Sequence, residues 1–164
     1  MLRGLRRPRT AWLVLAACAL LAAGAAIGWA ASAGTPEVKR IPLAQSKHVR
    51  GAADRTLGLT RVEIPAGAKL ALHHHQGTQI AYVESGVLTY TVVEGEVNVR
   101  RGTPGEDAHV VKRITAGHTG RIKPGEWIVE QPSTHHKAAN KGHQKITIFL
   151  STLLKTGAPP STPG

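Results

Sequence analysis

Three consecutive histidines, His73, His74 and His75, and a later pair, His135 and His136, are the residues of this chain best suited to chemistry. A neutral imidazole offers a nitrogen lone pair, and several that converge suit divalent Fe, Mn, Ni, Cu, Co or Zn. In a β-strand alternate side chains share a face, so His73 and His75 point together while His74 points away. Gln79 follows beyond Gly77, where the chain can turn and bring the Gln79 side chain back to the same space. The later pair ends the run Pro132-Ser133-Thr134-His135-His136, again at a strand boundary. Three histidines in a row also suit a surface turn, so spacing alone leaves that reading open. Cys18 is the only cysteine, so the domain has no internal disulfide, and any metal site must use His, Asn, Gln or carboxylates.

The elements that must position these residues read as short strands. Val62 and Ile64, then Leu70 and Leu72, sit at alternating positions, the period of half-buried strands. Further strands are expected at residues 79–83, 87–93, 96–100, 109–114, 120–122, 127–129 and 145–150, with a short one near 41–43. Turns fall at Ser85-Gly86 and Glu94-Gly95, and the polar run RGTPGEDA at 101–108 is a loop. No segment after residue 40 shows a helical apolar period. About eight short strands with frequent turns indicate an all-β sandwich or barrel.

Gly67, His73, His75 and Gly86 fall at the spacing of the first cupin motif, G-x5-H-x-H-x3/4-E-x6-G, with Gln79 in the glutamate position. The second motif, G-x5-P-x-G-x2-H-x3-N, can be laid from Gly125 so that His136 and Asn140 match. There Gln131 replaces the proline and Ser133 the glycine, with Pro132 next door. The chain therefore resembles a small single-domain cupin over about residues 45–155. The resemblance implies a double-stranded β-helix, or jelly-roll barrel, holding one divalent transition metal through His73, His75, Gln79 and His136. Four protein ligands leave up to two octahedral positions open, which substrate or oxygen can use. It implies either a metal-dependent enzyme of dioxygenase, isomerase or lyase type acting on a small organic molecule, or a non-catalytic module that binds or senses a small ligand or metal. Some barrels of this kind pair through their sheets, so a homodimer is compatible with the resemblance.

The Gln79 departure matters. An amide oxygen neutralises none of the ion's charge, so the ion would be more electrophilic and less tightly held. Nor can Gln79 act as a general base, which argues against transferring a familiar dioxygenase mechanism. His74 and His135 should face solvent or a second layer, and His48, His109, His118 and His143 read as surface residues. Asn140 suits either of two roles, orienting His136 or capping a turn. Trp127, Tyr82 and Tyr90 suit a pocket wall or plain core packing. Glu84 and Glu130 are acid–base candidates with no place in the pocket that the sequence reveals.

The first forty of the 164 residues differ in character. Arg3, Arg6, Arg7 and Arg9 form a basic cluster, an uncharged Ala- and Leu-rich run follows from Thr10 to Pro36, and Ala31-Ser32-Ala33 fits a small-x-small cleavage site. Residues 1–33 are therefore expected to be a signal peptide or an uncleaved membrane anchor, either of which puts the domain outside the cytoplasm, secreted or tethered. Ala-rich composition favours cleavage. Arg6-Arg7 lacks the full twin-arginine context, and Leu15-Ala16-Ala17-Cys18 resembles a lipoprotein box but is followed by more apolar chain. Residues 34–60 read as a lead-in, 61–155 as the barrel and 156–164 as a flexible, proline-rich tail.

The formal charge is +11; without the leader arginines, 17 Lys and Arg stand against 10 Asp and Glu. This basic surface comes with no arginine-rich helix and only Tyr82, Tyr90, Phe149 and Trp127 as aromatics beyond the leader. No nucleic-acid partner is expected. The expected partner is a small molecule, with membrane contact only through the N-terminal segment.

Overall fold

Alternation of inward apolar and outward polar residues recurs along the central strands of the computed structural model, which describes residues 36–164. The hydrophobic segment 1–33, with both readings of it, lies outside the described residues. The strands are β1 (Lys39–Ser46), β2 (Arg55–Ile64), β3 (Lys69–His74), β4 (Gly77–Ser85), β5 (Leu88–Glu94) and β6 (Glu96–Arg101). They continue as β7 (His109–Thr115), β8 (Thr119–Ile122), β9 (Glu126–Glu130), β10 (His135–Ala139), β11 (Ile146–Lys155) and β12 (Thr162–Pro163). Two antiparallel sheets result, ordered β1-β2-β11-β4-β9-β6-β7 and β12-β3-β10-β5-β8. Val62, Ile64, Val83, Ile128 and Ile146 from the first sheet and Leu88, Tyr90, Val92 and Ile122 from the second are buried in one core. Each such side chain contributes about 1.5–3 kcal/mol on burial.

The fold differs from the sequence expectation at four places. β1 and the first half of β2 lie inside the segment read as a lead-in, so the sheet begins well before residue 61. The short strand expected near 41–43 is the middle of β1, an edge strand with almost every residue exposed, so the sequence showed only part of its length. β10, HHKAA, has no alternating apolar signal, yet it lies between β3 and β5. The run expected to be a flexible tail contains β12, which pairs Thr162 with His74 and Pro163 with His73.

A register irregularity aims the first histidine. Opposite β10, His136 pairs with His73 and Ala138 with Leu70, so β3 spends three residues where β10 spends two. Such a bulge moves subsequent side chains to the other face. Leu70 and His73 consequently both face the interior, which strict alternation would forbid.

Candidate metal centre

Two cross-strand pairs, one from each sheet, meet inside the barrel. His73 and His136 are partners across β3 and β10, and Gln79 and Glu130 are partners across β4 and β9. His75 stands just past β3, in the tight link to β4. That link depends on Gly77, where an added Cβ would sit 2.2 Å from the Leu153 carbonyl oxygen. The motif glycine Gly86 has φ 75° and a Cβ there would lie 2.8 Å from Ile146. Both glycines are therefore required by close packing or by left-handed backbone.

His73, His75, Gln79, Glu130 and His136 are all buried. Among the described residues, the three histidines are the one group of His, Cys, Asp or Glu whose ligating atoms converge, each within 4.8 Å of the others. Every ring is oriented by a backbone carbonyl. Nδ1 of His73 donates to Ala71 at 2.7 Å, that of His75 to Pro160 at 2.7 Å, and that of His136 to Thr134 at 3.2 Å. A carbonyl only accepts, so each Nδ1 carries the proton and each Nε2 presents its lone pair to the centre. Burial lowers the His73 pKa to about 4, against the opposing pull of the Ala71 carbonyl. Burial likewise holds His75 below its ordinary value. Neutral imidazole is the form that binds metal, so the donor set fits a divalent ion. The three buried histidines could hold one.

Glu130 is the buried residue of this cluster that sequence reasoning left unplaced. Burial alone would push its carboxyl up. The charged forms of His136 and His75, together with hydrogen bonds from Gln79 and Tyr90, outweigh that and pull it below the ordinary carboxylate range; with neutral rings only the two hydrogen bonds oppose burial. Its Oε1 lies 3.2 Å from His136 Nε2 and its Oε2 3.6 Å from His75 Nε2. Tyr90 donates to Oε1 at 2.7 Å, and burial with the nearby carboxylate pushes the phenol up, so it stays protonated. A signal for Glu130 did exist. Glu126, Ile128 and Glu130 share one parity in the strand EWIVE, and Ile128 marks that parity as inward.

The other candidates separate cleanly. Gln79 enters the site with its amide nitrogen 2.8 Å from His75 Nε2 and also against Glu130. His74 and His135 stack on each other outside the centre, centroids 4.7 Å apart. His48, His109, His118, His143 and Glu84 are exposed. Asn140 clamps a turn: its side-chain nitrogen donates to the Ile64 and Gln144 carbonyls, both at 2.8 Å, while Thr134 orients His136. Gln131 closes the family's proline turn by accepting from Thr134 N at 2.9 Å. Tyr90 stacks on His136, centroids 4.9 Å apart, whereas Tyr82 and Trp127 lie away from the cavity.

The histidines line a cavity of about 480 Å³ whose walls include Val62, Leu70, Ile148 and Leu150. No family model matches the chain, and no curated protein is similar to it in sequence. Solved structures are similar in fold. A cupin 2 domain-containing protein from Halorhodospira halophila superposes with a TM-score of 0.50 at 14% identity, over 80% of this chain and 75% of that one. The polyketide cyclase RemF from Streptomyces resistomycificus gives a TM-score of 0.50 at 19% identity, over 79% and 75%. This chain has the cupin fold. Its three histidines stand on β3, just beyond β3 and on β10, and their ligating atoms converge. What the cupin barrel adds is a buried carboxylate on β9 and a cavity leading to it.

Proposed function

We propose that this domain is a metal-dependent enzyme acting on a small organic molecule, by oxygenation, isomerisation or lyase chemistry, outside the cytoplasm. The observation that carries this reading is the convergence of three Nε2 lone pairs, each fixed by a backbone carbonyl, on an apolar-walled cavity. A divalent ion held by His73, His75 and His136 would polarise a substrate oxygen there. Val62, Leu70, Ile148 and Leu150 exclude water and favour an apolar substrate body. Arg40, Lys47 and Lys155 are exposed where they line the cavity, and among the described residues Glu130 is the only acidic one lining it. That asymmetry favours a substrate with an anionic group facing the rim. The extracytoplasmic setting rests on the basic, apolar and small-residue pattern of residues 3–33.

A second reading, a non-catalytic binding or sensing module, is favoured by one observation. Among the described residues Glu130 is the only carboxylate lining the cavity, and burial beside it pushes the Tyr90 phenol up, away from a role as proton donor. Elemental analysis of the protein from its own host, followed by substrate screening with and without chelator, separates the two. Stoichiometric metal with chelator-sensitive turnover supports the enzyme. Absence of metal, or turnover unchanged in His136→Ala, sinks it.

A further inference from the structure

The position where the motif expects glutamate holds Gln79, yet a carboxylate stands directly opposite it. Gln79 and Glu130 are Cα partners across β4 and β9. Opposed residues on one sheet face have Cβ atoms about 5 Å apart, so both side chains reach one space. Gln79 Nε2 donates to Glu130 Oε2, and the Tyr90 hydroxyl donates to Oε1 at 2.7 Å. Each carboxylate oxygen keeps a further lone pair. These oxygens face His136 Nε2 at 3.2 Å and His75 Nε2 at 3.6 Å. Both imidazoles commit their Nδ1 protons to carbonyls. The Gln79 amide nitrogen also reaches His75 Nε2 at 2.8 Å, but no donor stands between the neutral His136 ring and Glu130 Oε1, so there acceptor faces acceptor in a buried site. A cation among them resolves that conflict.

We propose that Glu130 is the fourth ligand of the metal centre, the carboxylate having crossed from β4 to β9. Gln79 is then a positioning residue that holds Glu130 by its amide N–H. This assignment rests on the metal reading above. It restores the negative charge that the Gln79 position withholds, and it gives a His₃Glu donor set drawn from four places in the chain. The weakly held, unusually electrophilic ion expected from an amide ligand is no longer expected.

The test uses the full chain, stripped with chelator and titrated with Co²⁺. Calorimetry gives affinity, visible absorption gives the ligand field, and infrared difference spectra report carboxylates. Loading should shift carboxylate bands in the wild type. Glu130→Gln should lose those shifts and bind at least about 100-fold more weakly. The double swap Gln79→Glu with Glu130→Gln returns a carboxylate to the same space and should regain about 10-fold or more over Glu130→Gln. Three results overturn the assignment while leaving the metal centre standing: no carboxylate shift in the loaded wild type, wild-type affinity and absorption in Glu130→Gln, or a folded swap that regains nothing. Should Glu130→Gln fail to fold, the wild-type infrared spectrum and the swap decide. A wild type that takes up no Co²⁺ overturns the metal centre itself.

Discussion

His75 is held by a residue 85 positions further along the chain: its Nδ1 donates to the Pro160 carbonyl at 2.7 Å. The closing segment therefore belongs to the site. It is anchored by β12 against β3 and by Gly164 N donating to Leu72 O at 3.2 Å.

Removing residues 159–164 should free the His75 ring without touching any ligand. Partners that orient a metal-bound histidine are worth about 10–100-fold in affinity. Co²⁺ titration of the shortened chain should show a loss in that range, with a modest fall in melting temperature. Equal affinities would mean that Pro160 does not set the His75 ring.

How much of this was legible in the sequence depends on what each element offers as a signal. His73, His75 and His136 could be assigned because side-chain spacing and two motifs report directly on which face they occupy. β10 and β12 could not, because an HHKAA strand and a two-residue strand carry no apolar alternation, and of β1 only the stretch near 41–43 was readable. Pro160 acts through a backbone oxygen, which any residue possesses, so no side-chain pattern could reveal it. Glu130 was readable in principle from the parity of Ile128. The bulge in β3 was not, since Leu70 and His73 have opposite parity and only the observed register reconciles them.

Histidines on the two faces should respond oppositely to truncation. His136→Ala removes a converging nitrogen and should weaken Co²⁺ binding by about 100-fold or more. His135→Ala and His74→Ala remove partners in the outer stack and should change it by less than about threefold. Calorimetry on the three variants checks this, and comparable losses in all of them would mean that the rings have been sorted wrongly.

The metal-free protein should lose stability in acid. His73 has a folded pKa of about 4 against an ordinary 6.5, so between these values the unfolded chain binds the proton and the folded one does not. The stability that His73 contributes as a neutral ring is therefore full above about pH 6.5 and declines as pH falls toward 4, by on the order of 3 kcal/mol. His75, shifted in the same direction, adds to the slope. Urea melts of chelated protein from pH 7 to pH 4 measure it, and His73→Gln should flatten the curve. A stability that holds steady across that window would contradict the buried neutral ring.

Gly77→Ala should be among the costliest single changes in the barrel. The new methyl would meet the Leu153 carbonyl oxygen at 2.2 Å and the Leu154 Cα at 2.7 Å, both backbone atoms. Backbone cannot rotate away as a side-chain tip can, so the β3–β4 link must shift, at a cost of about 3 kcal/mol or more. The same link sets His75 relative to Gln79, so the folded fraction should also bind Co²⁺ more weakly. Gly67→Ala, where nothing lies within 4 Å but φ is 77°, should cost only about 1 kcal/mol. A melting-temperature comparison separates steric from conformational demand at the two glycines.

The rim charges should act on an anionic ligand through the field they create and not through contact. Arg40, Lys47 and Lys155 come from β1, the turn after it and the end of β11, three unconnected places that share one cavity. Hexanoate, an apolar chain with one carboxylate, is a suitable probe for NMR titration. Replacing Arg40 and Lys155 by glutamate should weaken it by about 10-fold in low salt, and the difference should shrink as ionic strength shortens the screening length. Replacing both by glutamine should give an intermediate loss with a weaker salt dependence. If hexanoate bound equally to all forms, or if its affinity ignored salt, the rim would have no part in selecting ligands. The choice of substrate would then fall to the apolar walls and the histidines alone.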